Sequence, residues 1–132
     1  MDNNFVIDND YINSAQEICR FIDNNFVRNR AVANVFAAKI AKEFFSELEI
    51  DCSTGLHNIY KVLEIYDISD VYVKNNYIDI RVYTDENELC VPKIHFDYGI
   101  LPVTYMFIKL DEDLTTGTVT GFLPPENINT EN

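Results

Sequence analysis

Two cysteine–histidine pairs are the residues of this sequence best suited to nucleophilic chemistry. Cys90 and His95 are five residues apart, and so are Cys52 and His57. A histidine that accepts the thiol proton would make the cysteine a nucleophile, as in a small Cys/His-dependent hydrolase. This spacing alone does not bring the side chains within hydrogen-bond reach, and no glycine turn suited to an oxyanion hole adjoins either cysteine. We keep the hydrolase as an alternative and assign no catalytic residue.

An acidic segment, DEDLTTGTVTG, resembles a calcium-binding loop at its start. Asp111, Asp113 and Thr115 occupy the first three ligand positions of an EF-hand loop. However, Thr116 stands where the loop requires glycine, and Phe122 stands where it requires glutamate. A hairpin loop that carries solvated charge is the simpler interpretation. Phosphate-binding glycine patterns and C-x-x-C pairs are also missing from the sequence, so we expect neither a metal nor a cofactor.

Composition and charge limit the class of protein. The 132 residues carry a formal net charge of −12 and are 47% hydrophobic, which is typical of one acidic globular domain. An acidic field repels phosphate backbones, so we expect no nucleic-acid binding, although an acidic mimic of nucleic acid that binds a basic protein remains an alternative. The N-terminus lacks the features of a signal peptide, and no apolar run approaches the ~20 residues that span a bilayer. We expect a cytoplasmic protein with reduced cysteines and no membrane contact.

The N-terminal half predicts three helices. Ser14 and Glu17 form a capping-box pattern, and Ile18, Phe21 and Ile22 follow at helical spacing. The letters NNF, at 24–26, predict a break. The second helix, 28–48, repeats apolar residues every four positions and is expected to be the most buried element. A third amphipathic helix is predicted at 56–66, after a turn in which Ser53 is a candidate cap.

The C-terminal half predicts strands. Segments 71–74 and 77–83 flank Asn75 and Asn76, which favour a tight hairpin. Further strands are predicted at 89–91, 103–110 and 118–123. Segregated helices and strands indicate an α+β fold, with an N-terminal three-helix layer packed on a C-terminal antiparallel sheet of four or five strands. We expect residues 1–123 to form a single domain and 124–132 to be a polar tail or the onset of a linker.

Tyrosine and arginine residues alternate along one face of the predicted hairpin. Tyr77, Arg81 and Tyr83 share that face, and Tyr72 is expected to join them from the neighbouring strand. These residue types commonly anchor protein interfaces. We therefore predict a non-enzymatic protein-interaction or regulatory module whose partner is an unidentified protein. The three side chains on the second strand are expected to point outward, so that truncating them leaves the stability nearly unchanged. The sequence does not determine the oligomeric state.

Three segments together resemble a known family. NRAVANVFAAKIAKEFFSELEIDCST is similar to the helical part of an uncharacterised, largely cyanobacterial family, catalogued as domain of unknown function 1822. GLHNIYKVLEIYDISDVYV resembles the helix and acidic turn that follow there, and the LDE-x-L and GF-x-P steps of the C-terminal part resemble its end. The similarity covers roughly 29–125. It implies a bacterial α+β domain from a family whose members are often longer than this chain, and it assigns no catalytic or binding residue.

The long second helix gives the first prediction. Replacing Phe36 or Phe44 by alanine is expected to lower the free energy of unfolding by roughly 3–5 kcal/mol, because each ring is predicted to fill space in the core. Urea denaturation of the two variants measures the loss. A structure with both rings mostly exposed, or variants as stable as the native chain, would contradict the predicted helix packing.

Overall fold

The computed structural model describes residues 3–54, 70–74, 76–85, 96–97 and 101–128. Two α-helices and six β-strands form these parts of the chain, and the α+β class is confirmed. The helices are α1 (Asn9–Cys19) and α2 (Asn25–Glu47). The strands are β1 (Asn4–Val6), β2 (Ser53–Thr54), β3 (Asp70–Val73), β4 (Asn76–Tyr83), β5 (Thr104–Leu110) and β6 (Thr116–Leu123). The predicted third helix and the predicted strand at 89–91 lie outside the described residues.

Helix α1 begins earlier than the capping-box pattern predicted. Its N-cap is Asp8, whose Oδ1 accepts hydrogen bonds from the amides of Asp10 at 3.0 Å and Tyr11 at 3.2 Å. Ser14 therefore lies inside the helix, and its prediction as a cap is wrong. An aspartate with an extended backbone satisfies two first-turn amides, which is sufficient to start a helix. The helix ends at Cys19, which is earlier than the predicted break at 24–26.

Helix α2 agrees with the predicted long helix. Asn24 caps its start, because its side-chain oxygen accepts a hydrogen bond from the amide of Val27 at 3.0 Å. The helix ends in a Schellman motif, in which the amide of Ile50 donates to the carbonyl of Phe45 at 2.9 Å. Glu49 adopts the left-handed conformation of this motif, with φ 60°.

The six strands form one mixed sheet rather than the predicted antiparallel one. The strand order is β1-β6-β5-β4-β3-β2, and β4 and β5 pair in parallel, while the other pairs are antiparallel. A parallel pair requires a long crossover, and the chain between Tyr83 and Thr104 supplies one. The prediction of an entirely antiparallel sheet is therefore wrong for the β4–β5 pair.

The N-terminal half also contributes strands, so helices and strands are less segregated than predicted. β1 pairs with β6, and β2 pairs with β3, which places one short N-terminal strand at each edge of the sheet. Ser53 belongs to β2, and the helix that it was predicted to cap lies outside the described residues. The predicted β3–β4 hairpin is present, but Val73 pairs with Asn76, so its turn lies one residue earlier than predicted. Lys74, in that turn, has φ 49°.

The core lies between α2 and one face of the sheet. Phe44 is central to it, with ring-centroid distances of 6.5 Å to Phe5, 5.4 Å to Phe45 and 5.8 Å to Phe122. Phe36 and Phe44 are both buried, so the burial predicted for them is confirmed. The helix supplies ten buried residues, but β5 is buried along more of its length, so α2 is not the most buried element.

Gly117 on β6 permits the closest contact between helix and sheet. A Cβ atom added there would collide with Cδ1 of Ile40 and would lie 3.1 Å from Cδ2 of Leu110. Ile40 and Leu110 are both fully buried, so neither side chain has space into which it can move. Gly117 thus sets how closely α2 approaches the sheet.

The chain packs slightly beyond the predicted domain limit at Leu123. Pro125–Asn127 form a single 3-10 turn, and Pro125 is buried. Over the part of the chain that the structure describes, neither helix combines the length and apolar character needed to cross a membrane.

The glycine contact gives a prediction with a matched control on the same strand. Gly117→Ala is expected to lower the free energy of unfolding by about 1–3 kcal/mol, because the added methyl overpacks the core. Gly121→Ala has no atom within 4 Å of the added Cβ and is expected to leave stability unchanged or slightly raised. Urea denaturation compares the two variants.

A second change tests the cause of that loss. Shortening Ile40 to valine removes the Cδ1 atom with which the new methyl collides, so Gly117→Ala combined with Ile40→Val is expected to be more stable than the sum of the two single changes predicts. Equal stability of Gly117→Ala and Gly121→Ala would contradict the proposed contact.

Candidate functional site

Tyr72 and Tyr77 are the two members of the predicted tyrosine face that lie together. They are directly opposite each other on β3 and β4, and their ring centroids are 5.9 Å apart at 33°. Tyr72 is exposed and Tyr77 is half-buried. Cross-strand aromatic pairs of this kind stabilise a hairpin.

Arg81 lies in a buried position, in contrast to the outward, exposed position expected for it. Its side chain is 10% exposed, and its Nη1 atom is 3.8 Å from Oδ2 of Asp79, whose side chain is fully buried. Tyr105 pairs with Asp79 on the adjacent strand and is also fully buried. Burial raises the pKa of Tyr105 to about 12; the charge of Asp79 adds to this shift, and the charge of Arg81 opposes it.

The position of β4 in the sheet explains this burial. β4 lies in the interior of the sheet, beside its parallel neighbour β5, and parallel strands are usually covered on both faces. The opposite face from α2 is covered in part by Phe96, whose ring centroid is 6.5 Å from that of Tyr105. The alternation of apolar and polar residues therefore correctly assigned the two faces but did not show that both are buried.

Tyr83 is separated from the tyrosine pair by this buried centre. Its hydroxyl donates a hydrogen bond to Oγ1 of Thr120 on β6 at 3.1 Å, so the side chain extends across β5. The structure thus places Tyr72, Tyr77, Arg81 and Tyr83 on one face of the sheet but does not bring them into one exposed patch. An interaction role for the four residues stays a prediction.

A different surface exposes more apolar area, at the end of the helical hairpin. Phe21 and Phe26 are 70% and 71% exposed, the highest values among the large hydrophobic residues that the structure describes. The guanidinium carbon of Arg20 lies 4.7 Å from the ring centroid of Phe21, and that of Arg30 lies 5.8 Å from the ring centroid of Phe26. We call these four residues the aromatic–arginine corner.

Hydrogen bonds hold the chain between the helices that carries this corner. Arg28 Nε donates to the carbonyl of Ile22 at 2.6 Å, and the amide of Ile22 donates to the carbonyl of Cys19 at 3.1 Å. Ile22 and Cys19 are both buried. Burial raises the pKa of the Cys19 thiol, although the charge of Arg28 opposes the shift, so Cys19 remains protonated at neutral pH and acts as a packed apolar group.

Sequence reasoning missed this corner because it extended the first helix too far. Phe21 was grouped with Ile18 and Ile22 on one helical face, but α1 ends at Cys19 and the chain turns before Phe21. The available signal was the predicted break at 24–26, which includes Phe26 and follows closely after Phe21. Arginines close to both phenylalanines were a second signal.

A shallow apolar groove lies elsewhere, beside the covered face of the sheet. It has a volume of about 380 Å³. Its described lining residues are Phe96, Leu101, Pro102, Val103, Pro125 and Glu126. Glu126 is the one titratable group among these described residues, so they do not supply the paired acid and base that general catalysis requires.

The acidic segment that begins at Asp111 forms a hairpin loop between β5 and β6, as predicted. Asp111 Oδ1 accepts hydrogen bonds from the amides of Thr115 at 2.7 Å and Thr116 at 3.2 Å, and its Oδ2 accepts one from the Thr115 hydroxyl at 2.6 Å. The bond from the Thr115 hydroxyl is the main reason that the pKa of Asp111 is lowered. The carboxylate thus organises the turn. Among the described residues, no group of three or more potential metal ligands occurs.

The residues of the hydrolase alternative lie mostly outside the described parts of the chain. Cys90, His95 and His57 are all in segments that the structure does not describe. Cys52 is half-buried, and burial raises the pKa of its thiol, with Lys42 opposing and Asp51 adding to the shift. A raised pKa lowers the fraction of reactive thiolate at neutral pH.

Comparison with known proteins adds no relative. No protein-family profile, curated protein or solved structure matches the chain. The resemblance to family 1822 stays a prediction, and the assignment of a site rests on the geometry described above.

The buried ion pair gives a prediction that separates the two ends of the tyrosine face. Arg81→Ala is expected to lower the free energy of unfolding by about 3–5 kcal/mol, because it removes the cation on β4 that lies beside the buried carboxylate of Asp79. Tyr72→Ala is expected to lower it by less than about 1 kcal/mol, since it removes one cross-strand ring contact. Urea denaturation measures both.

A charge-free replacement is the control for that experiment. Asp79→Leu combined with Arg81→Met removes both charges while retaining much of the volume, and it is expected to recover most of the stability lost in Arg81→Ala. If Arg81→Ala were as stable as the native chain, the pair would not be buried as described, and Arg81 would again be a candidate interface residue.

Proposed function

We propose that the protein is a non-enzymatic protein-interaction module and that the aromatic–arginine corner is its main contact surface. The observation that supports this proposal is the exposure of Phe21, in the hydrogen-bonded turn between the helices, and of Phe26, at the start of α2. Covering a phenylalanine side chain contributes about 1.5–3 kcal/mol, so a partner that buried both rings would gain several kcal/mol. Because the turn is held by hydrogen bonds, its backbone loses little further conformational entropy on binding.

The chemistry of the corner also suits an interface. Aromatic residues and arginine are enriched at the centres of interfaces, where they contribute most of the binding energy. Each guanidinium carbon lies within the roughly 6 Å range of a cation–π contact with its ring, and guanidinium N–H groups bind carboxylates well. The tyrosine pair Tyr72–Tyr77 is a second candidate surface, supported by the exposure of Tyr72 on the hairpin.

The alternatives from other classes remain open as proposals with less support. The Cys/His hydrolase depends on pairs of which Cys52 alone lies within the described chain, and the pKa of that thiol is raised. The acidic mimic of nucleic acid is favoured by the net charge of −12. The corner does not fit that role, because its charged groups are arginines. A regulatory module within a longer bacterial protein of family 1822 remains compatible with the interaction proposal.

The test is a comparison of partner capture by matched variants. Phe21→Ala and Phe26→Ala are expected to change the free energy of unfolding by no more than about 0.5 kcal/mol, as surface truncations usually do. Each is expected to weaken binding by about 2 kcal/mol or more if its ring anchors the interface. Tagged native chain and variants are used to capture proteins from a lysate of the source cells, and captured proteins are then purified for direct titration.

Val6→Ala and Tyr72→Ala are the controls for this capture experiment. Val6 is 67% exposed on β1, so its truncation removes a similarly exposed apolar side chain at a different place. We expect that at least one protein captured by the native chain is not captured by either phenylalanine variant but is still captured by Val6→Ala. Loss with Tyr72→Ala alone would move the interface to the hairpin, and unfolding of the phenylalanine variants would show that both rings are structural.

A further inference from the structure

We propose that the aromatic–arginine corner binds a short acidic segment of a partner protein, one that presents apolar side chains to Phe21 and Phe26 and carboxylates to Arg20 and Arg30. This inference rests on the proposed function and adds the chemistry of the partner. Its basis is the contrast between the local charge of the corner and the charge of the whole chain.

The corner is cationic in an otherwise acidic protein. Three of the four arginines of the chain, Arg20, Arg28 and Arg30, lie between positions 20 and 30, together with one acid, Asp23. The whole chain has a net charge of −12. Arg28 donates to the backbone carbonyls of the turn. Arg20 and Arg30 are the two cations whose guanidinium carbons lie over the exposed rings.

Charge and size together favour a short acidic segment over other anionic partners. At physiological ionic strength, charges are screened beyond about 8 Å, so a short peptide at the corner interacts mainly with the local arginines. A nucleic acid or an anionic membrane extends further and would face the acidic remainder of the surface. A second copy of the chain would bring another net charge of −12. A short segment with few carboxylates avoids these repulsions.

An internal carboxylate already occupies the place that a partner carboxylate would take. Glu17 forms an ion pair with Arg20, and the two side chains are 70% and 50% exposed. Exposed ion pairs of this kind contribute little to stability, so the pair can exchange for a partner carboxylate that also gains apolar contact. Glu17 therefore competes with the partner for Arg20, so removing the Glu17 charge is expected to tighten binding of the partner.

The experiment selects short random peptides displayed on phage against the full native chain. The probes for titration are a selected peptide, a copy with its acids changed to lysine, and a copy with its apolar residues changed to serine. We expect selected peptides rich in Asp or Glu together with Phe, Leu or Trp. Fluorescence anisotropy is expected to show strong loss of binding for both altered copies, and weaker binding of the parent peptide as salt is added.

Variants then locate the binding site. Phe21→Ala and Phe26→Ala are each expected to weaken binding about 30-fold, and Arg20→Gln and Arg30→Gln several-fold. Glu17→Gln is expected to tighten binding by up to about fivefold, because it removes the internal competitor. Val6→Ala and Lys74→Gln, which change an exposed apolar residue and an exposed cation elsewhere, are expected to leave binding unchanged.

The outcomes separate failure of this inference from failure of the proposed function. If basic or uncharged peptides bind the native chain and do not bind Phe21→Ala, the partner is not acidic, but the corner is still the interaction surface. Peptide binding that is insensitive to both phenylalanine variants, or no selected peptide, would overturn both. Binding to phosphatidylserine vesicles that is lost with Phe21→Ala, without peptide binding, would replace the acidic segment by a membrane surface.

Discussion

The contact between α2 and the sheet is the constraint on which the rest of the structure depends. Ile40 lies directly above Gly117, where any Cβ would collide, and the Phe44 ring packs among rings from α2, β1 and β6. Close packing of this kind allows α2 to occupy only one position on the sheet. It also explains why the first strand is held: Phe5 reaches Phe44 and is buried, so the N-terminal segment completes the edge of the sheet instead of remaining solvated.

With α2 covering one face, the other face of the sheet determines which of the predicted interaction residues are exposed. Asp79 and Arg81 lie at its buried centre, beside Tyr105. A buried ion pair contributes little net stability compared with apolar residues of similar volume, but removing one partner is costly because the other charge stays desolvated. Arg81 is therefore more important for the fold than for an interface. Tyr72, at the hairpin, retains the exposure that an interface residue requires.

The aromatic–arginine corner follows from how α1 packs against α2. Tyr11 is buried between the helices and donates a hydrogen bond from its hydroxyl to Glu43 at 2.6 Å, while Lys39 lies 5.7 Å from its ring centroid. This contact fixes α1 along α2, and the short connection must then turn within a few residues. Ile22 is directed into the core, and Phe21 and Phe26 on either side of it are left outside. The two rings are exposed because Ile22 already occupies the buried position of this tight turn.

The sequence by itself determined the α+β class, the long second helix with buried Phe36 and Phe44, the helix break, the β3–β4 hairpin and the hairpin loop at Asp111. These features depend on local periodicity, caps and turn residues, which neighbouring positions in the chain encode. Tertiary structure decided the parallel pairing of β4 with β5, the edge positions of β1 and β2, the burial of Arg81 and the exposure of Phe21. Each of these depends on which distant segments meet, and periodicity assigns a residue to a face without showing whether another part of the chain covers that face.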